Sequence, residues 1–381
     1  MEERRTIVNT AITDSGAPRG GAVVITGAST GIGRACALSL DALGFRVFAG
    51  VRKPEDGESL RRASSARLTP VFIDVTDEQS IAAAAEEVSR EVGDAGLAGL
   101  VNNAGIAIPG PLEYLPLEEL RRQLEINLVG QLAVTQAFLP LLRKARGRIV
   151  NVSSLAGKLT TPFNGAYSAA KHGIEAFSDA LRMELASWGI HVSVVEPGTI
   201  ATAMPKKLLQ DAATVLNNLP AEGRERYGSD FETYVRTLAE HAQSGSQPEV
   251  VARAMVHALT ARTPRARYPA GAPAGRIADA VQVTSGPASG PRDPEIPRSA
   301  TRIRRPHRAA RPRQRGLLHR TEELRFFART SRSSKLTPIL TPTDPNRSRL
   351  RPTRLDEDPL EIRVRKAFSD MTRHPDPPQS P

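Results

Sequence analysis

Ala22-Val23-Val24-Ile25-Thr26-Gly27-Ala28-Ser29-Thr30-Gly31-Ile32-Gly33 is an apolar run that breaks into a glycine-rich turn and then into a helical pattern over 32–43. A short Val/Ile run bounded by glycine reads as a buried strand. Glycines at 27, 31 and 33 let the backbone turn sharply and approach a bulky anion with no Cβ in the way. The helix start offers unpaired N–H groups and a positive dipole end, which suits a pyrophosphate. The spacing is G-x-x-x-G-x-G rather than the common G-x-G-x-x-G, so by itself the cluster is equally a plain tight turn. Its place, directly after an apolar strand, is the one a dinucleotide site requires. On this reading Gly27, Ser29, Thr30, Gly31, Ile32 and Gly33 form the cradle.

Outward from this turn, apolar runs alternate with helical patterns, the signature of a parallel sheet covered on both faces. The strands fall at 22–26, 46–50, 68–73, 97–102, 148–153 and 191–195, with a last short one at 267–269. Helical stretches fall at 32–43, 80–92, 117–143 and 166–187, the last closing at Trp188-Gly189, where glycine suits a left-handed C-cap. Right-handed crossovers in series give an α/β, doubly wound, Rossmann-like sheet of about seven strands. Residues 203–245 interrupt the rhythm just after the sixth strand, where an insertion can cover a site as a lid. Ser246-Gln247-Pro248-Glu249 then reads as a capping box opening a further helix.

The chain has 381 residues and a net charge of +11. That surplus is localised. Residues 285–381 hold 22 Lys+Arg against 11 Asp+Glu and 15 of the 30 prolines, leaving 30 residues of each sign in 1–284. A Pro- and Arg-rich, aromatic-poor segment cannot bury enough apolar surface to offset its chain entropy. The expected organisation is a flexible leader over 1–19, a catalytic domain over 20–275 and a disordered basic tail over 285–381. The stretch Arg302-Ile303-Arg304-Arg305-Pro306-His307-Arg308 is basic enough to touch nucleic acid or acidic lipid. No nucleic-acid motif accompanies it, so a solvated tail without a partner is the favoured reading. Out-of-frame translation of a shorter gene is a further alternative. No 18 apolar residues run together, and on that ground a membrane span is excluded. A single cysteine, Cys36, permits no internal disulfide and, with a polar N-terminus, points to the cytoplasm. The seven histidines include no i, i+4 pair, so no metal site is expected.

Cofactor choice is read at the end of the second strand. NAD-binding sheets tend to place an Asp or Glu there for the ribose 2′-hydroxyl. The run here is Phe48-Ala49-Gly50-Val51-Arg52-Lys53. Arg52 is suited to a 2′-phosphate, which favours NADP(H) over NAD(H), the bland reading being two solvated basic side chains. Asp74, before Val75, is placed either to accept from an adenine amino group or to cap a turn.

Tyr167-Ser168-Ala169-Ala170-Lys171 puts a phenol and an ammonium at i and i+4 on one helical face. A phenol titrates near pH ~10, too high for a base at neutral pH, and a neighbouring ammonium is expected to draw it down. The alternative is a solvated helix face. That weakens because Ser154 stands at the carboxyl end of the fifth strand, with a hydroxyl able to polarise a carbonyl. Asn102-Asn103-Ala104-Gly105 follows the fourth strand, where its amides are expected to tie strand ends together. Asn127 lies in a helix, where asparagine is mildly unfavourable, and an internal hydrogen bond is expected. Pro197-Gly198-Thr199-Ile200-Ala201-Thr202 follows the sixth strand, where it is placed to contact a nicotinamide carboxamide. Leu155, Pro162, Phe163, Met204, Leu208 and Leu209 form a mainly apolar set, either a pocket for a lipophilic substrate or ordinary packing.

Together, in order and spacing, these segments resemble the short-chain dehydrogenase/reductase family over about residues 20–270. The resemblance implies Tyr167 as acid/base, Ser154 orienting the substrate oxygen, Lys171 binding the nicotinamide ribose and Asn127 holding a water for proton relay. It also implies cofactor contacts from the 27–33 loop, Arg52, Asp74, Val75, Asn103, Ala104, Gly105, Tyr167, Lys171, Pro197, Gly198, Ile200 and Thr202. Substrate contacts would come from Ser154, Leu155, Phe163 and Tyr167. Arg52, the Phe163–Tyr167 run and the Arg267-Tyr268-Pro269 ending look most like the hydroxysteroid- and retinol-dehydrogenase-like branch. A homodimer or homotetramer through the helices at 117–143 and 166–187 is the implied assembly. The expected activity is hydride transfer between NADP(H) and a lipophilic secondary alcohol or ketone. The alternative is a catalytically silent nucleotide-binding or scaffold protein.

Overall fold

The computed structural model describes residues 20–202 and 204–271, without the side chains of 204–209 and 211. The leader, the basic tail and the side chains of Met204, Leu208 and Leu209 therefore lie outside the described residues. Within them the chain runs β1 (Ala22–Ile25), α1 (Gly31–Ala42), β2 (Arg46–Val51), α2 (Pro54–Ala63), β3 (Leu68–Phe72), α3 (Glu78–Val92) and β4 (Gly99–Asn102). Then come α4 (Leu117–Leu124), a π-turn (Glu125–Val129), α5 (Gly130–Ala145), β5 (Arg148–Val152), α6 (Gly165–Glu184) and β6 (His191–Pro197). The last elements are α7 (Met204–Asn218), α8 (Ala221–Gln243), α9 (Pro248–Thr260) and β7 (Arg267–Ala270).

All seven strands pair in parallel, in the order β3-β2-β1-β4-β5-β6-β7. The order reverses beside β1, so β1 and β4 open a crevice at their carboxyl ends. Period-two alternation sends side chains to two cores. Val23, Ile25, Val47, Ala49 and Val150 join Cys36, Leu40, Val251 and Met255 of α1 and α9 on one face. Val24, Phe48, Leu100 and Ile149 meet Ile81, Val88, Val134 and Phe138 of α3 and α5 on the other. Burial pushes the Cys36 thiol up to about 12, which marks a packing residue rather than a nucleophile.

The strands expected from sequence are all present, with ends shifted by two residues or fewer. The helices needed more correction. A Pro54 start, two acids in the first turn and two arginines in the last build α2 in a stretch with few apolar residues. The 203–245 insertion folds into two helices. The helix read as 166–187 ends at Glu184 and passes through a 3₁₀ turn before Gly189 takes the left-handed conformation, φ +69°. Gln247, not Ser246, occupies the N-cap of α9, with Pro248 behind it.

The rod from Leu117 to Ala145 contains an 18-residue window of mean hydropathy 1.2, long and apolar enough by composition to cross a bilayer. The absence of an unbroken apolar run therefore does not by itself exclude a span. Here the rod's apolarity is used in the fold, with Val134, Phe138, Leu141 and Leu142 packed beneath the sheet.

Candidate active site

The glycine turn leaves β1 with Gly27 at φ +63° and Gly31 at φ +53°. A methyl on Gly33 would run into the Gly27 carbonyl oxygen and Asn103 Nδ2, and one on Gly31 would stand 3.2 Å from Thr202 Cγ2. The turn is thus pressed between the 102–105 and 197–202 segments. Asn103 secures it: Nδ2 donates to the carbonyls of Thr26 and Gly27, both at 3.0 Å, while Thr26 Oγ1 accepts from the amides of Asn103 and Ala104. Helix α1 carries no acidic residue in its first turn, and Thr30 at its N-cap makes no side-chain capping bond. Helices α2 and α3 both begin with acids. An anion is the missing complement at α1, so the cradle fits a dinucleotide pyrophosphate.

Beside the cradle, Arg52 and Lys53 are exposed just beyond β2. Arg34, which sequence reading did not single out, reaches Ser59 O of α2 at 3.5 Å through Nη2, and its Nη1 is buried with no hydrogen-bond partner among the described residues. Asp74 Oδ1 accepts from the amide (3.0 Å) and hydroxyl (2.8 Å) of Thr76. These bonds, the amide first, hold its carboxyl below the usual range. The side chain caps a turn, one of its two expected roles. Val75 is buried in the sheet core beneath α5. Ile200 likewise packs in the core, while its backbone bridges to Ser246. Pro197 closes β6, and Gly198 N donates to Ala270 O at 2.9 Å.

Ser154, Tyr167 and Lys171 come together where β5 meets α6. Ser154 caps the 3₁₀ turn Leu155–Gly157, its Oγ accepting from Ala156 N at 3.1 Å. The same hydroxyl acts on the Tyr167 phenol, drawing its pKa down against burial, so residues 154 and 167 share one side of the sheet. Lys171 is 4% exposed, donates from Nζ to Val152 O at 2.8 Å, and stands 5.6 Å from the Tyr167 ring centre. The expected drop in the phenol's pKa is not found. Burial pushes Tyr167 up to about 12, with Ser154 opposing, and the same burial brings Lys171 down to about 8. Desolvation outweighs a cation that hydrogen-bonds the backbone rather than the phenol.

Asn127 is fully buried in the π-turn, a distortion frequent at functional sites. Its amide is taken up internally: Oδ1 accepts from Ile106 N at 2.9 Å and Nδ2 donates to Ile106 O at 2.8 Å. Asn102 donates to Thr135 Oγ1 and Asn151 Oδ1, binding β4 to α5 and β5.

Phe163 has φ +63°, a left-handed backbone rare for a bulky residue. Its ring packs on Phe231 (5.5 Å), Tyr234 (5.7 Å) and Tyr227 (6.3 Å) of α8. Thr161 acts on the Tyr234 phenol, and Tyr234 acts electrostatically on Tyr167, so the 203–245 insertion reaches the Tyr167 side chain. Tyr114 packs edge-on to Tyr227, whose hydroxyl donates to Glu113 at 2.7 Å. Sequence reading missed Tyr114, Tyr227 and Tyr234. Their signal was concentration, since four of the five tyrosines fall in this region of a chain only 4% aromatic.

A crevice with an anion cradle at one end and a serine–tyrosine–lysine group at the other defines a dinucleotide-dependent oxidoreductase. The family model for short chain dehydrogenase matches residues 21–213. Human retinol dehydrogenase 5 is 43% identical over 255 residues, covering 65% of this chain and 80% of that protein. Bovine 17-beta-hydroxysteroid dehydrogenase type 6 is 44% identical over 254 residues, with the same coverage. Among solved structures, a short-chain dehydrogenase from Streptomyces avermitilis superposes with a TM-score of 0.58 at 30% identity, covering 70% of this chain and 94% of its own. A Burkholderia cenocepacia short chain dehydrogenase in complex with NADP gives 0.54 at 27% identity, covering 69% and 93%. The chain belongs to the short-chain dehydrogenase family, in the retinol and hydroxysteroid dehydrogenase branch. It is an NAD(P)-dependent oxidoreductase acting on alcohol or carbonyl groups.

Proposed function

We propose that the enzyme transfers hydride between NADP(H) and a lipophilic secondary alcohol or ketone, with Tyr167 as the proton-transfer group. The observation that carries this is the Ser154 hydroxyl set beside the partly buried Tyr167 phenol, on which it acts, with Lys171 one helical turn along. The nicotinamide, when bound, supplies or accepts the hydride. Ser154 Oγ holds the substrate oxygen beside the phenol, which as a neutral acid donates its proton to the oxygen in reduction and recovers it in oxidation. Lys171 binds the nicotinamide ribose, and the buried walls keep water from the transfer.

NADP(H) is favoured because no acid closes β2 and two guanidinium groups, Arg52 and Arg34, flank that end of the crevice. The NADP-bound neighbour supports the same reading. A lipophilic substrate is supported by the aromatic lid around Phe163 and by the retinol and hydroxysteroid dehydrogenases among the relatives. A homodimer or homotetramer in the cytoplasm belongs to the proposal. Val129 and Phe177, exposed on the π-turn and α6, give the assembly an apolar face, and light scattering over a concentration series tests it.

The decisive experiment follows nicotinamide absorbance with retinoid, steroid and short polar alcohols and ketones, under both cofactors. Turnover with lipophilic substrates and NADP(H) is expected. Faster turnover of the polar set, or with NAD(H), overturns the corresponding part.

A further inference from the structure

Behind the proton-transfer group lies a cluster of charge built around two buried glutamates, which the reaction described above does not use. Glu175 is 6% exposed and Glu196 2% exposed. Lys158 Nζ lies 2.9 Å from Glu175 Oε2 and 3.7 Å from Glu196 Oε1. Arg267 Nε, from β7, lies 3.0 and 3.5 Å from the same two oxygens, and its Nη2 binds Asp179 at 2.8 Å. Arg182 pairs with Asp179 from the other side. Glu175 Oε1 and Glu196 Oε1 are buried without a hydrogen bond among the described residues.

The cluster connects to the site in two ways. Tyr167, Lys171, Glu175 and Asp179 recur every four residues, so they form one row along α6. The turn capped by Ser154 lies directly on that row. A methyl at Gly157 would stand 2.5 Å from Ser153 Oγ, 3.0 Å from Lys171 O and 3.2 Å from Glu175 Cγ. Lys158, the next residue, bonds to Glu175 and so fastens the turn to the helix that carries Tyr167. Glu175 also acts on Lys171 in the direction that favours the ammonium, against the burial that disfavours it.

We propose that Glu175 is a positioning residue, pinning the Ser154 turn to the Tyr167 helix and supplying the negative charge that keeps Lys171 an ammonium. This rests on the proton-transfer reading above. The charged and titratable groups facing Glu175 are Lys171 and Asp179 on α6, Lys158 after the Ser154 turn, Glu196 on β6 and Arg267 on β7. Because two cations already bind Oε2, a neutral amide of the same shape keeps much of the packing and removes the charge.

The test is Lys171 titration in full-length protein labelled with ¹⁵N-lysine, its signal assigned with Lys171→Arg and read beside the pH profile of turnover. In Glu175→Gln the Lys171 titration is expected to fall by about one pH unit, with the alkaline limb of turnover moving down by the same amount. Glu175→Asp, which restores the charge, is expected to recover most of both. An unchanged Lys171 titration in Glu175→Gln overturns the proposal, even if the variant is less stable. Should Glu175→Gln not fold, Glu175→Met, similar in volume and uncharged, serves instead: the Lys171 titration is expected to fall, and an unchanged titration overturns the proposal. A Tyr167→Phe protein that kept its turnover would remove the proton-transfer reading while leaving the Lys171 titration as a separate result.

Discussion

Tyr167 and Lys171 stand one helical turn apart, with the ammonium 5.6 Å from the phenol ring centre and bonded to Val152 O rather than to the phenol oxygen. The two are coupled through position, not through a direct hydrogen bond, and burial acts on both. It favours the neutral phenol and the neutral amine. The free protein therefore holds Tyr167 as a neutral phenol, the form the proposed reduction requires.

Removing that acid tests the chemistry. Tyr167→Phe keeps the ring and the helix and loses the proton. Turnover is expected to drop by about 10²–10⁴-fold with nicotinamide cofactor binding nearly unchanged, measured by absorbance and by cofactor fluorescence titration.

The cradle is tested by adding one methyl. In Gly33→Ala the new group meets the Gly27 carbonyl and the Asn103 amide, neither of which can move without opening the β1–β4 crevice. A stability loss of about 1–3 kcal/mol and at least about tenfold weaker cofactor binding are expected from urea unfolding and fluorescence titration.

Asn103→Ala removes the amide that holds two carbonyls of the phosphate turn. Leaving those acceptors unpaired is expected to cost about 1–3 kcal/mol, read as a lower urea midpoint with an unchanged slope.

Arg52→Gln deletes the exposed cation beyond β2. If it meets a 2′-phosphate, the ratio of kcat/KM for NADP(H) over NAD(H) falls about tenfold or more, through KM rather than kcat. An unchanged ratio would move that role to Arg34.

Glu196 supplies a pH test of stability. Burial first, then the neighbouring Glu175, pushes its carboxyl up to about 7. A raised carboxyl binds its proton more tightly folded than unfolded, so its contribution is full below the unfolded value and is lost as pH rises through about 7. Glu196→Gln, which resembles the protonated form, is expected to change stability little near pH ~4 and to raise it at pH ~8 by up to about 3 kcal/mol. Unfolding midpoints of both proteins across that range give the answer.

The sequence by itself determined the sheet, because a strand buried on both faces needs an apolar run, and seven such runs, each bounded by turn residues, leave few other readings. It also carried the glycine turn after β1 and the order of Asn127, Ser154, Tyr167 and Lys171, since glycine spacing and a helical i, i+4 interval are local properties. What it left open depended on contacts between distant segments. Whether Lys171 lowers the Tyr167 phenol is a contest between burial and charge, and burial is a property of the assembled helix and sheet. That Asn127 spends its amide on Ile106 and that Ile200 turns into the core depended on segments far apart in sequence, and Lys158, Glu175, Glu196 and Arg267 could converge behind the site only once β5, β6, β7 and α6 lay side by side. Hydrophobic periodicity records which face of an element is buried; it carries no record of which charge lies across from it, because that is decided by packing.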